Sequence, residues 1–467
     1  MLHGTRAGHI CRLTGIATTL AVLTALSGST LAQVSTQTFT NPPRDPGVRG
    51  GPAGAGGPLP GLTAGEAAFF ANGKEDFQEA EGIGDGLGPR FNADGCGTCH
   101  SQPATGGTSP AVNPQVAIAT AFGARNVVPS FIRANGPIRE ARFQKNPDGS
   151  PDGGVHALFV ISGRVDSTGN ASGCNAVQED FEKQVRDRNV IFRIPTPVFG
   201  AGLIENIKDS TLVANLAANA GAKQFLGISG RLNHNGNDGT VSRFGWKAQN
   251  QSLLLFSGEA YNVEMGITNE LFQSERDENP NCQFASVPND TQLFDTTAGF
   301  PALITAIENF ANFQRFLNQP TPVTSFTGAS STSILRGKQK FSDIGCALCH
   351  TPSLTTSNIA TVAALKNKVA NLYSDVALHN MGSGLADEIS QGGARGDEFR
   401  TAPLWGLGQR IFFLHDGRTS DLVVAIRQHR SAGDSKFGPS EANKVIDNFD
   451  NLDDSSTQDL LNFLRSL

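Results

Sequence analysis

The spacing of apolar and polar residues predicts helices at three places in the chain. The segment Thr63-Ala-Gly-Glu66 has the form of a capping box, and we expect it to open a helix through EAAFFANGKEDF. Residues 331–341 predict a second helix. The last residues, STQDLLNFLRSL, predict a third, because their apolar positions form a stripe at helical spacing: Leu460, Leu461, Phe463 and Leu464.

Other segments favour strands. Residues 156–165 and 189–200 are rich in residues typical of β-structure. Residues 239–256 fit a strand, a helix or both, so we expect a mixed α/β region in this part of the chain. The segment LNHNGNDG at 232–239 superficially resembles a calcium loop. It has one carboxylate and no closing Glu, which predicts a plain loop.

The first 32 residues predict a secretory signal peptide. Two arginines precede the apolar stretch at 13–27, and Thr30 and Ala32 are small residues placed as a cleavage site requires. An uncleaved anchor is the alternative. No other stretch is apolar for long enough to cross a bilayer, so we expect a periplasmic or secreted protein with no stable membrane span in the mature chain.

Composition and charge narrow the function classes. Hydrophobic residues make up 38% of the chain, too many for a chain that is disordered throughout, and the 53 Gly and 24 Pro indicate long loops. The formal net charge is −6, and no run of Lys or Arg stands out. Both observations argue against a nucleic-acid-binding protein.

Two segments repeat one pattern of cysteine and histidine: Cys96-Gly-Thr-Cys99-His100 and Cys346-Ala-Leu-Cys349-His350. C-x-x-C-H is the attachment signature of c-type haem, in which both thiols join the haem and the adjacent histidine is the proximal ligand of the iron. A redox C-x-x-C or half of a zinc site is the alternative. A structural zinc needs paired motifs close together, whereas these are far apart. The sequence therefore predicts two covalently bound haem c groups.

Two cysteines remain once the signal peptide and the haem motifs are set aside. Cys174 and Cys282 both lie in loops rich in Gly, Asn or Pro. In an oxidising compartment a disulfide between them is the economical interpretation. The alternative is two buried, unpaired thiols.

These signals predict a mainly α protein with two cytochrome c-like haem domains, a mixed α/β insertion and long loops. The domain boundaries in the N-terminal part follow from the Pro/Gly-rich composition of residues 41–61 and from the position of the first haem motif. The predicted parts are a signal peptide at 1–32, an arm at 33–62, an N-terminal haem domain at 63–150, an insertion at 151–325 and a C-terminal haem domain at 326–467.

The sequence resembles the di-haem cytochrome c peroxidase superfamily, and within it the branch of di-haem oxidoreductases. The resemblance extends over residues 62–467. The haem motifs alone are generic, and the segment around LHDG before a helix is more specific. The resembling stretches are GPRFNADGCGTCHSQPATGG, FGAGLIENI, RFGWKAQNQSLLLF, YSDVALHNMGSGLADEI and FRTAPLWGLGQRIFFLHDGRTSDLVVAIRQH.

The resemblance gives His429 a role at the second haem. Thr419 or Ser420 can cap a helix through DLVVAIRQHR, which would place His429 on an apolar helical face. From the residues alone, a histidine in such a position fits a hydrogen-bonded core residue or a ligand. The resemblance implies that it is the second axial ligand of the C-terminal haem. The superfamily usually has Met there, and a second imidazole would lower the potential of the haem.

Three other residues are candidates for the same haem site, two as alternative ligands of the iron and one as a residue of the haem pocket. Met381 follows the second motif at a spacing that suits an ordinary monohaem cytochrome, so it is the competing sixth ligand. His379 is a further alternative. His415 begins the specific motif, and the resemblance implies that it lines the haem pocket.

The first haem has no comparably clear distal ligand, and an open position would suit peroxide. Peroxide cleavage needs a group that moves a proton between the two oxygens. Glu205 lies in the apolar segment PTPVFGAGLIENI at a place similar to the distal glutamate of the superfamily. A glutamate near a helix end is the alternative. Glu140 is the reserve candidate, although Arg139 and Arg142 beside it predict an ion pair.

Trp246 and Trp405 are the two tryptophans of the chain. An indole between two haems could relay electrons, although burial in a core is the commoner role of tryptophan. We interpret Trp246 as the candidate relay.

The resemblance implies a secreted di-haem c-type oxidoreductase, an enzyme of the peroxidase type. We expect the N-terminal haem to reduce peroxide or another small oxidant. An unknown redox partner protein would deliver electrons through the C-terminal haem. Two alternatives stay open at this point. One is a di-haem electron carrier without catalysis, and the other is an oxygenase that uses O₂ on an organic substrate, a chemistry that the same superfamily includes.

Overall fold

The computed structural model describes residues 42–291 and 304–467. The predicted signal peptide at 1–32 and the start of the predicted arm lie outside these residues. The described part of the arm forms no helix. Its Pro58 makes a single β-bridge to Leu317, as its Pro/Gly-rich composition allows.

Helices are the main regular elements of the described chain, beside a few small sheets and many loops. The three helices predicted from apolar spacing and caps are confirmed as Ala64–Gln78, Ser331–Asp343 and Asp454–Ser466. The helices are α1 (Ala64–Gln78), α2 (Cys96–Cys99), α3 (Gln115–Ile118), α4 (Phe181–Arg186), α5 (Ala201–Glu205), α6 (Asp209–Ala217), α7 (Ala220–Leu226), α8 (Leu253–Met265), α9 (Ala306–Phe316), α10 (Ser331–Asp343), α11 (Gly382–Leu385), α12 (Leu422–Arg427), α13 (Asn443–Asp450) and α14 (Asp454–Ser466).

The sheets are small and antiparallel. One has three strands in the order Val155–His156, Glu140–Phe143, Val190–Arg193, and each of the other four pairs two strands. Strands occur in both segments predicted to be β-rich, and residues 239–256 contain a strand followed by the start of α8. The strands are β1 (Arg90–Phe91), β2 (Glu140–Phe143), β3 (Val155–His156), β4 (Phe159–Val160), β5 (Val190–Arg193), β6 (Asn233–His234), β7 (Val241–Ser242), β8 (Leu354–Thr355), β9 (Val369–Ala370), β10 (Leu378–Asn380) and β11 (Glu398–Arg400).

Helix α1 begins at the predicted capping box and packs against α9. The Thr63 hydroxyl accepts from the Glu66 amide, and the Glu66 carboxylate accepts from the Thr63 amide at 2.7 Å. Phe77 then packs against Phe313 at a ring-centroid distance of 4.9 Å. This contact brings the end of α1 close to the first haem motif, because Phe77 also meets the ring of His100 edge-on at 5.9 Å.

Helices α10 and α14 pack closely in the C-terminal part. A Cβ atom added at Gly337 would meet the carbonyl oxygen of Asp459 at 1.9 Å, so only glycine permits this approach. The Asp459 carboxylate binds the Arg336 guanidinium and accepts from the Ser333 hydroxyl at 2.5 Å. The second haem motif follows α10 directly and is therefore held by this helix pair.

Buried apolar side chains form two main clusters. The larger runs from Leu59 to Ala377 and includes Trp405. The side chains of the second cluster all come from the segment between Ala329 and Leu467, which lies within the predicted C-terminal haem domain. The described residues form one compact unit by their contacts, so the domain boundaries predicted inside it stay predictions.

The two cysteines outside the haem motifs lie at disulfide distance. The Sγ atoms of Cys174 and Cys282 are 2.14 Å apart, and both residues are buried. The bond spans a sequence separation of 108 residues. It is the pair that the sequence predicts.

Among the helices of the described residues, none is both long and apolar enough to cross a bilayer.

Candidate functional site

The first haem motif occupies a single helical turn. Cys96 and Cys99 are the ends of α2, and neither thiol is in a disulfide. His100 follows, and its Nδ1 donates to the carbonyl oxygen of Gly107 at 3.0 Å, since a carbonyl can only accept. Burial lowers the pKa of His100 to about 4, which keeps the imidazole neutral. Its Nε2 then has the lone pair that an iron ligand needs.

The motif opens into a cavity with about 1160 Å³ of empty space. The Cys96–Cys99 helix, the cavity-facing side of α8 and the strands β2 and β5 contribute to its wall. The wall also contains three carboxyl groups and three guanidinium groups: Glu140, Glu259, Glu264, Arg139, Arg142 and Arg193. We call this the first cavity.

Two of these carboxyl groups, those of Glu140 and Glu264, share a hydrogen bond. Burial alone would raise the pKa of Glu140, but the charges of Arg142 and Arg193 outweigh it and hold the pKa below its usual value. Burial raises the pKa of Glu264 well above its usual range, and the negative charge of Glu140 acts in the same direction. The pair therefore keeps one carboxylate and one carboxylic acid side by side near neutral pH. The Asn92 amide donates to Glu264 at 3.1 Å.

The fold fixes Glu140 from two sides. It lies opposite Arg193 in the register of β2 and β5, and its carboxylate accepts from the Arg142 guanidinium. The ion pair expected beside Glu140 is thus formed by Arg142. Arg139 instead donates to the backbone oxygen of Phe131 at 3.1 Å.

The structure does not bring Glu205 into the first cavity. Its Oε2 lies 2.8 Å from the Arg315 guanidinium, and its Oε1 accepts from the Leu253 amide at 2.9 Å. These contacts join the end of α5 to α9 and to the first turn of α8. Glu205 therefore does not line the first cavity, where we expected it, and forms a structural ion pair with Arg315 instead. The carboxyl groups in the cavity wall are those of Glu140, Glu259 and Glu264.

The second motif has the same histidine geometry. Cys346–Leu348 forms a 3-10 turn, Cys346 and Cys349 are not in a disulfide, and His350 Nδ1 donates to the Tyr373 carbonyl oxygen at 2.9 Å. Burial lowers the pKa of His350 to about 4, so this imidazole is neutral as well.

A larger and more apolar cavity, with about 1450 Å³ of empty space, adjoins the second motif. His350 and His429 both line this second cavity. His429 Nδ1 donates to the Ala425 carbonyl oxygen at 2.9 Å, and burial lowers its pKa. The cavity therefore holds two neutral imidazoles with the same nitrogen available.

The helix before His429 differs from its predicted form. Its cap is Asp421, whose carboxylate accepts from the Val424 amide at 3.0 Å, and neither Thr419 nor Ser420 caps it. The helix ends at Arg427. His429 lies just beyond the helix, where the bond from its ring to Ala425 replaces helical geometry as the orienting contact.

The competing ligands differ in their surroundings. Met381 lines the second cavity and packs with Leu385 and Phe399 in a small apolar cluster. His379 also lines it, but its Nε2 lies 3.0 Å from Asp375 and its Nδ1 lies 2.8 Å from Glu441. Burial lowers the pKa of His379, yet neighbouring negative groups outweigh burial and raise it well above its usual value. With both nitrogens engaged by carboxylates, His379 has no free lone pair for iron.

Trp246 lines both cavities. Its Nε1 donates to the Ile194 carbonyl oxygen at 2.9 Å, and its ring meets His415 edge-on at 6.4 Å. His415 lines the second cavity and stacks on Phe399 at 4.4 Å. The indole thus forms part of the wall between the cavities, where the sequence predicts a relay.

The second cavity suits a haem for a further reason. Arg400 and Arg410 line it, both are buried, and burial lowers the pKa of each to about 10. Within the described ranges, no acidic side chain forms an ion pair with either arginine. A buried cation without an anion is costly, and the two propionates of a haem are anions of suitable chemistry.

A zinc site is not supported by the same residues. Across residues 42–291 and 304–467, no group of three or more His, Cys, Asp or Glu side chains is arranged to hold a metal ion. The two cavities, each with a C-x-x-C-H motif in its wall, fit a haem better than they fit a small cluster of ligands.

Comparison with known proteins identifies a family match. The family described as "Di-haem oxidoreductase, putative peroxidase" matches residues 142–467. No curated protein matches the sequence.

Two solved structures are similar at low identity. Hydrazine synthase of Kuenenia stuttgartiensis is 13% identical with a TM-score of 0.35, over 97% of this chain and 100% of that chain. A MauG-like protein associated with microbial copper homeostasis is 16% identical with a TM-score of 0.28, over 58% of this chain and 90% of that chain. At these TM-scores neither likeness bears on the fold or the function of this chain.

Proposed function

The chain belongs to the family of di-haem oxidoreductases, and from this premise we propose that it reduces peroxide in the first cavity. Electrons would enter at the second cavity from a redox partner protein and pass to the first. Each cavity would hold one haem c, joined to Cys96 and Cys99 or to Cys346 and Cys349, with the adjacent histidine as proximal ligand.

The observation that carries the proposal is the chemical difference between the two cavities. The second contains two neutral imidazoles in an apolar wall, which supports a haem with both axial positions filled. The first contains one imidazole and a coupled pair of carboxyl groups. Such a pair supports proton transfer at an open position.

The carboxyl pair defines what the protein would do with peroxide. A haem bound in the first cavity would supply the iron that binds the peroxide and delivers electrons. Glu140, kept ionised by Arg142 and Arg193, would accept a proton from one oxygen. Glu264, kept protonated by burial, would give a proton to the departing oxygen. Reduction to two water molecules consumes two electrons and two protons from solvent. The proton held by Glu140 would pass to the remaining oxygen, one solvent proton would complete that water molecule, and the other would restore Glu264.

An electron carrier is the second candidate, and one observation favours it. Met265 lines the first cavity at the end of α8 and is buried. A methionine sulfur is a common sixth ligand in cytochromes c, and it would close the site to peroxide. In that case both haems would be low-spin in the ferric protein, whereas the peroxidase proposal requires one high-spin haem.

Paired substitutions test the catalytic proposal. Glu264→Gln keeps the shape and removes the exchangeable acid, so we expect it to slow peroxide consumption by roughly 10²–10⁴-fold with both haem spectra unchanged. Glu205→Gln is the matched control, since the same change there lies outside the cavity, and its rate should stay close to that of the wild type. If Glu205→Gln slowed peroxide consumption and Glu264→Gln did not, Glu205 and not Glu264 would be the proton donor. Two low-spin ferric haems in the wild type would favour the carrier.

Export and covalent attachment are part of the same proposal. We infer that residues 1–32 are removed and that the mature chain works in the periplasm or outside the cell. The close approach of Cys174 to Cys282 supports an oxidising compartment. The intact mass of the denatured protein should equal the mature chain plus two haems. A mass without haem, or with one, would refute the attachment.

A further inference from the structure

Tyr261 makes an unusual buried contact outside the machinery described so far. It is one of two tyrosines in the chain, and its hydroxyl donates to the Glu81 carboxylate at 2.8 Å. Tyr261 is 4% exposed and Glu81 is 8% exposed. A phenol and a carboxyl group thus share one hydrogen bond in the protein interior.

This pair lies beside the first cavity. Tyr261 is on α8, next to Ala260 and three residues before Glu264, and both of these line the cavity. Aromatic contacts also connect Tyr261 to the proximal histidine. Its ring meets Phe310 at 5.0 Å, Phe310 meets Phe77 at 6.1 Å, and Phe77 meets His100 at 5.9 Å.

The charges around the pair favour a phenol that keeps its proton and a carboxyl that can accept one. Burial raises the pKa of Glu81 to about 7. The Tyr261 hydrogen bond opposes this rise, and the other charged groups facing Glu81 are Glu79, Asp85, Asp290 and the Arg164 guanidinium, which donates to its backbone oxygen. Burial, followed by the charge of Glu81, raises the pKa of Tyr261 well above its usual value.

Oxidation of a tyrosine requires the phenolic proton to leave with the electron. A base must therefore lie within hydrogen-bond reach of the hydroxyl, and Glu81 does. A structural tyrosine needs only some acceptor, such as a backbone carbonyl. A carboxyl that titrates near neutral pH, buried next to a redox cavity, is a specific arrangement.

We propose that Tyr261 and Glu81 form a redox-active pair that can supply one of the two electrons needed to reduce peroxide in the first cavity. The inference rests on the proposed function, in which hydrogen peroxide is the oxidant. Tyr261 loses one electron toward the cavity, and its O–H proton moves to Glu81, which leaves a neutral tyrosyl radical and a carboxylic acid. When the redox partner returns an electron, the proton moves back and the phenol is restored.

Electron paramagnetic resonance of the di-haem protein tests the inference. The oxidised holoprotein is mixed with hydrogen peroxide without an electron donor and frozen rapidly. We expect a tyrosyl radical whose hyperfine lines change when the tyrosines carry ring deuterium. Tyr261→Phe should abolish the signal. Glu81→Gln, which cannot accept the proton, should reduce its yield by about tenfold or more.

Tyr373→Phe is the matched control, because Tyr373 is the other tyrosine and its hydroxyl makes no hydrogen bond within the described residues. The substitution keeps the Tyr373 backbone carbonyl that accepts from His350. It should keep the full signal. An infrared band of the newly protonated Glu81 carboxylic acid should appear together with the radical. If the contact between Tyr261 and Glu81 were only structural, neither the radical nor the band would form. If the protein consumes peroxide but forms no radical on Tyr261, the inference fails and the proposed function stands. If it consumes no peroxide, both fail.

Discussion

At the scale of single residues, the spin state of a haem in the second cavity depends on which side chain binds the iron opposite His350. The ring of His429 is oriented by its bond to Ala425, whereas Met381 packs within an apolar cluster. We expect His429→Ala to convert the second haem from low-spin to high-spin, because it removes a strong-field ligand. Met381→Leu keeps the apolar volume and should leave the spectrum low-spin. Optical and paramagnetic resonance spectra of the two ferric variants distinguish the ligands, and the reverse outcome would assign the position to Met381.

A second residue-scale prediction concerns Glu441. Burial would raise its pKa, but His379 and the amide and hydroxyl of Ser229 lower it to about 2. A carboxyl whose pKa is lower in the folded protein than in the unfolded chain stabilises the fold above the unfolded value. That contribution disappears as the pH falls from about 4.5 toward 2.

Glu441→Gln should therefore lower the free energy of unfolding at pH 7 by about 2–3 kcal/mol. The difference from the wild type should shrink as the pH approaches 2. Denaturant unfolding at several pH values measures it. Glu75 is exposed, so Glu75→Gln is the control and should change stability little at any pH. A loss that is constant with pH would show that packing, and not charge, holds Glu441.

At the scale of elements, the close crossing of α10 and α14 makes Gly337 indispensable. The Cβ of Gly337→Ala would lie 1.9 Å from a backbone oxygen of α14, so the helices must separate. We expect a loss of about 1–3 kcal/mol in unfolding free energy. Gly65→Ala in α1 is the control, because nothing lies within 4 Å of its added Cβ and alanine favours helices. Thermal unfolding of both variants checks this, and equal effects would contradict it.

The same elements explain how much of the fold can be predicted from the sequence. Helices α1, α10 and α14 have local signals, namely caps and apolar stripes, so they are predictable. The capping residue of α12 is not, because Thr419, Ser420 and Asp421 are all good caps and tertiary contacts choose between them.

The candidate site is less predictable than the helices. The C-x-x-C-H motifs are visible because their chemistry is local. Glu264 is not, because it meets Glu140 only after folding has brought together two segments that are far apart in the sequence. The one available signal is the spacing of Ser257, Ala260 and Glu264 on one helical face, and all three line the first cavity. Glu205 has a suggestive apolar setting, but its ion pair with Arg315 depends on the distant α9.

At the scale of the whole molecule, the two cavities share a wall that contains Trp246. Buried charges hold this wall in place. Asp387 lies 2.7 Å from Arg193 and 2.9 Å from Lys247, and the Lys247 ammonium lies over the ring of Phe399. Arg193 lines the first cavity and Phe399 the second, so this cluster joins the two sides of the wall.

The last prediction follows from this shared wall. Trp246→Phe removes the bond to Ile194 and shortens the aromatic surface between the cavities. We expect it to slow electron transfer from the second haem to the first by roughly tenfold, equivalent to about 1.4 kcal/mol in the barrier. Trp405→Phe is the matched control, since Trp405 is buried in the main apolar cluster and lines neither cavity. Rapid mixing of half-reduced protein with peroxide, followed at the absorbance of each haem, measures the rate. Equal rates in the two variants would exclude Trp246 as the relay, because the control loses the same ring size without altering the wall between the cavities.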